Sequence, residues 1–80
     1  MSEYDVYAVQ HRVGTFMPTE ITRQYIERNG CWYHRELGGR WHLSSVPLSR
    51  IDTKHVSTPV GVAEHAGRVK LTEADFGTPL

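Results

Sequence analysis

The sequence predicts an α+β, mostly β domain: a small antiparallel meander of three to five strands, with one short helix at most near the C-terminus. Three observations lead there. β-branched and aromatic residues fill the extended runs, and turn signals at Asn29-Gly30 and Gly38-Gly39 separate them. The one window that could be helical, residues 19–28, carries only a thin apolar stripe.

Tyr4 to Val13 reads as the first strand, with Val6 and Ala8 on one face and Tyr7, Val9 and Val13 on the other. Gly14 to Pro18 breaks it. A helix over 19–28 would align Ile21 with Tyr25 and end at Gly30. A strand would instead alternate Ile21, Arg23 and Tyr25 against Thr22, Gln24 and Ile26. We favour the strand, because Asn-Gly between two β-favouring runs is the strongest short-range hairpin signal.

A two-residue loop at Asn29-Gly30 pairs Tyr25 with His34, Ile26 with Tyr33 and Arg23 with Glu36. Cys31 to Leu37 then returns, and Arg40 to Val46 runs back before Pro47 ends the ladder. A two-residue loop at Gly38-Gly39 would place His34 opposite Leu43. A three-residue loop would move Trp41 and Leu43 to the other face.

Beyond Pro47 the pattern weakens. Leu48 to Ile51 suits one turn of 3₁₀ or α-helix. Val60-Gly61-Val62 and Val69-Lys70-Leu71 read as strands joined by a turn at His65-Ala66-Gly67. Thr72 before Glu73, Ala74 and Asp75 suits a helix start. Residues 1–80 are expected to form a single small domain, with 77–80 as a frayed tail.

Composition restricts function. Nine basic and nine acidic side chains balance, which argues against a general polyanion binder. Cys31 is the only cysteine, so no disulfide forms within the chain. The acidic N-terminus is unlike a signal peptide, and no apolar run reaches the roughly 20 residues a membrane helix needs. We therefore expect a cytoplasmic protein with no membrane role.

Cys31 and His34, with His42, His55 or His65, have some of the character of a zinc set. In a strand, however, residues three apart point to opposite faces. A Cys31–histidine nucleophile would need an orienting group and a pocket. We expect neither metal nor cofactor, and no enzymatic activity.

The strongest signal lies in residues 21–50, where five arginines face two glutamates and both tryptophans occur. A domain this small must bury some of its rings, yet the remaining chain holds few apolar residues to cover two faces. Arg, Trp and Tyr also dominate binding hot spots. We therefore expect a partner-binding face of Arg28, Trp32, Tyr33, Arg35, Arg40, Trp41 and His42. The expected function is a small regulator or inhibitor that sterically blocks a larger protein or complex, as phage- or plasmid-borne inhibitors of host machinery do. The alternative is a β module that binds single-stranded RNA or DNA, or a nucleoprotein, through the same face. Homodimerisation is compatible with either.

Overall fold

A computed structural model of the chain describes residues 2–14, 16, 19–36, 39–45 and 48–76. They contain seven strands: β1 (Ser2–Val13), β2 (Thr19–Arg28), β3 (Cys31–Glu36), β4 (His42–Leu43), β5 (Ser49–Arg50), β6 (His55–Thr58) and β7 (Gly61–Leu71). All belong to one antiparallel sheet in the order β4-β3-β2-β1-β7-β6-β5, curled into a half-barrel. Seven strands exceed the expected three to five because Ser49–Arg50 and His55–Thr58, where no strand was expected, add β5 and β6, while the strand expected over Arg40 to Val46 is only His42–Leu43 among the described residues. The expected helix shrinks to a 3₁₀ turn, Glu73–Asp75. Asp75 Oδ2 accepts from the Thr72 backbone N–H at 2.7 Å, so the N-terminal signal at Thr72 is used.

Residues 19–28 are a strand. Its hairpin with β3 has the predicted pairs Tyr25–His34, Ile26–Tyr33 and Arg23–Glu36. The turn chemistry accounts for this: Asn29 (φ 53°) and Gly30 (φ 79°) both take the positive φ of a type I′ turn.

The next pairing differs by one residue. Tyr33 faces Leu43 and His34 faces His42, the arrangement of a three-residue loop. Leu43 therefore shares a face with Tyr33 and Ile26.

Two expectations for the C-terminal half fail. Ser49–Arg50 is extended rather than helical, because it pairs with β6. The expected turn at His65-Ala66-Gly67 is a bulge inside one continuous strand. Val6 pairs with Gly67 and Tyr7 with His65, leaving Ala66 as the extra residue. Gly67 at φ 121° accommodates the bend that a β-carbon would oppose. The tail expected at 77–80 lies outside the described residues.

Two core clusters occupy opposite faces of the sheet. Val6, Ile26, Trp41, Leu71 and Phe76 form the first, with Tyr4, Tyr33 and Val69 against them. A parallel bridge between Trp41 and Phe76 ties the β4 side back to the segment after β7 and curls the sheet around this cluster. Tyr7, Tyr25, Trp32, Val56 and Ala63 form the second, beneath the β5–β6 hairpin. Tyr7 Oη donates to the Thr53 carbonyl at 3.3 Å, and Arg50 lies 5.5 Å from the centroids of Tyr7 and Trp32.

Candidate functional site

The seven residues expected to form a binding face are divided by the fold. Trp32 is 8% exposed and Trp41 1% exposed, so neither indole is available to a partner. This corrects the expectation of a surplus of exposed rings. The reason is coverage from parts of the chain with few apolar residues. The β5–β6 hairpin closes over Trp32, and the segment through Phe76 closes over Trp41.

Arginines complete the cover. The Arg50 guanidinium lies over Trp32 and donates to Tyr7 Oη at 2.7 Å. Arg35 lies 4.6 Å over Trp41, and Arg28 4.1 Å over Phe76. A planar guanidinium stacks on a ring and keeps its edge donors for other partners. Arg28 also pairs with Glu73, and Arg35 Nε donates to Gln24 Oε1 at 2.8 Å. The arginine–aromatic pattern read from the sequence is thus largely internal.

Of the seven, Arg40 and His42 are exposed, and Arg28, Tyr33 and Arg35 are half-buried. Arg40 donates to the Ala74 carbonyl at 2.7 Å and anchors the C-terminal segment. Beside His42, Leu43 is 52% exposed. The Ser44 N–H donates to the Trp32 carbonyl at 2.9 Å, so the ladder to β3 uses alternate residues 42 and 44. Leu43 consequently turns its N–H and C=O off the edge of the sheet. Trp41, of the same parity, donates its N–H to the Asp75 carbonyl at 3.3 Å. The outer edge of β4 is therefore occupied at Trp41 and has no described partner at Leu43.

A row of rings crosses the second face: His42, His34, Tyr25, Tyr7 and His65 are paired in sequence across five strands. At its β3–β4 end a cleft of about 110 Å³ is lined by Arg23, Tyr25, His34, Ser44, Ser45, Leu48 and Pro59. His34 Nδ1 lies 2.8 Å from Ser44 Oγ. Burial holds His34 below its ordinary pKa, and the Arg23 charge and then the neighbouring His42 ring act in the same direction. Sequence reasoning passed over Arg23, Ser44 and Ser45. Arg23 and His34 alternate onto one face, but Ser44 joins them only through the observed β4 pairing.

Cys31 is exposed at the start of β3. His34, the histidine that strand geometry sets aside as its partner, contacts Ser44. Among the described residues, no group of three or more His, Cys, Asp or Glu side chains converges as a metal site would require, and no helix is long and apolar enough to cross a membrane. No protein-family model matches the chain, and neither a curated protein nor a solved structure is similar to it.

Proposed function

We propose that the protein is a small binding module that regulates a larger protein by occluding part of its surface, and that it docks through the outer edge of β4. One observation carries this reading: Leu43 presents an outward backbone N–H and C=O together with a half-exposed apolar side chain, flanked by exposed His42 and Arg40. An extended segment of the partner would add to this edge. Main-chain hydrogen bonds would supply affinity, and the side chains around Leu43 would supply selectivity. The parallel bridge at Trp41–Phe76 supports the reading, since the same edge already pairs with extended chain one step away.

The single-stranded nucleic-acid alternative is weakened by the burial of both indoles, because stacking needs open ring faces.

Affinity capture from the native host tests the proposal, comparing the wild-type protein with Leu43→Pro and with Val62→Lys as a remote surface control. The Leu43 N–H lies outside the ladder to β3, so proline there removes the edge donor without breaking an internal sheet bond. A nuclease-resistant protein partner retained by the wild type and by Val62→Lys, and lost by folded Leu43→Pro, is the expected result. Equal retention by all three, or loss of the captured material on nuclease treatment, overturns the proposal.

A further inference from the structure

The cleft between β2, β3 and the segments flanking β4 and β5 holds hydrogen-bonding capacity that the described residues do not use. The Arg23 side chain is only 27% exposed. Its nearest carboxylate contact is Nη2 to Glu36 Oε1 at 3.6 Å, too long for a hydrogen bond. Arg23 Nε is sealed from solvent without a hydrogen-bond partner. A guanidinium carries five N–H donors, and covering them without acceptors is unfavourable.

Across the cleft stand the His34 imidazole and the Ser44 hydroxyl, 2.8 Å apart, with Tyr25, Ser45, Leu48 and Pro59 forming the rest of the wall. The opening is several times the roughly 30 Å³ that one water takes in the liquid.

We infer that this cleft binds a single tetrahedral oxyanion of the phosphate class, held by the Arg23 guanidinium and by donors from His34, Ser44 and Ser45. A planar fork of donors beside hydroxyls is the arrangement that matches such an ion. The charged and titratable groups facing His34 are Arg23 and Tyr25 from β2, Glu36 from β3 and His42 from β4. Arg23 acts on the imidazole ahead of the single carboxylate, Glu36, so a permanent positive charge borders the cleft. Glu36 competes with the ligand for the guanidinium. The apolar wall at Leu48 and Pro59 suits an organic group esterified to the phosphate, which makes a phosphomonoester the stronger of two possible sources. The site lies on the sheet face opposite the Leu43 side chain, and its success or failure is independent of docking at the β4 edge.

The test is an NMR titration of the intact protein with inorganic phosphate and with O-phosphoserine at constant ionic strength, with chloride as the control. Saturable shifts confined to Arg23, His34, Ser44 and Ser45 are expected, with binding tightening as His34 protonates. Tighter binding of O-phosphoserine assigns the source to an ester, and tighter binding of inorganic phosphate to the free ion. Arg23→Gln should weaken binding at least tenfold, and Ser44→Ala severalfold. Glu36→Gln should strengthen it severalfold, a gain that a misfolded variant would not produce. Linear, unsaturable shifts spread over all cationic residues overturn the inference, as does unchanged binding in Glu36→Gln and Ser44→Ala.

Discussion

The Arg28 guanidinium stands 4.1 Å above the Phe76 ring while it pairs with Glu73, joining the end of β2 to the C-terminal segment. Phe76 is also edge-on to Tyr33 and Tyr4, at 5.1 and 6.1 Å between centroids. These contacts make the segment the lid of the first core cluster. Phe76→Ala should cost about 3–5 kcal/mol, a large part of the roughly 5–10 kcal/mol available to a domain of this size. Urea unfolding followed by circular dichroism reads the loss. Arg28→Lys keeps the charge but not the flat face, and should lower the midpoint in the same direction as Arg28→Ala. A midpoint equal to wild type would remove the stacked guanidinium from the account.

Both indoles belong to the interior. Trp32→Ala and Trp41→Ala should each destabilise the fold by about 3–5 kcal/mol, rather than act as selective binding lesions. Native fluorescence should be blue-shifted and should move red on unfolding. Trp41→Phe should be milder than Trp41→Ala, since it keeps a ring and removes an indole N–H buried without a hydrogen-bond partner. A red-shifted native spectrum in a folded protein would contradict the burial.

Stability should depend on pH in two windows. His34 has a folded pKa below its ordinary 6.5, owing to burial and then to Arg23 and His42. Below 6.5 the unfolded chain takes up this proton more readily than the folded one, so stability is complete above 6.5 and declines as pH falls. Asp5, held low first by its hydrogen bond with His65, and Asp52, held low first by the Lys54 backbone N–H, act later. Both lie below their ordinary 3.8, so their contributions are present above that value and are lost in more acid solution. Urea midpoints measured from pH 8 to 3 should decline in these two steps, and His34→Gln should flatten the upper one alone.

Gly30 and Gly67 test backbone geometry apart from packing. A β-carbon at either position would meet nothing within 4 Å. Any loss on substitution by alanine therefore comes from positive φ. Gly30→Ala, at φ 79°, should cost about 1 kcal/mol, and Gly67→Ala, at φ 121°, about 1–3 kcal/mol. Thermal melts of the two variants should rank them in that order. A reversal would mean that the bulge on β7 relaxes more easily than the type I′ turn.

The first hairpin was legible because its information is local. Asn29-Gly30 selects the turn, and the turn sets the pairs from Arg23–Glu36 to Ile26–Tyr33. The second hairpin was not, because Gly38-Gly39 is compatible with loops of two or three residues. One residue of difference placed Trp41 in the first cluster and Leu43 beside Tyr33. Gly67 misled in another way: glycine serves a bulge as well as a turn, and only the partner strand β1 distinguishes them.

Local chemistry in the sequence determined that the described residues are antiparallel β, that the chain turns at Asn29-Gly30, and that five of its seven arginines and both tryptophans fall in residues 21–50. Tertiary structure alone decided which of those rings meet solvent. Burial depends on what folds over each face, and the covers here come from short segments near Arg50 and Phe76 whose own apolar content is small. Guanidinium groups laid flat on rings complete that cover, and no one-dimensional count of hydrophobic residues registers them.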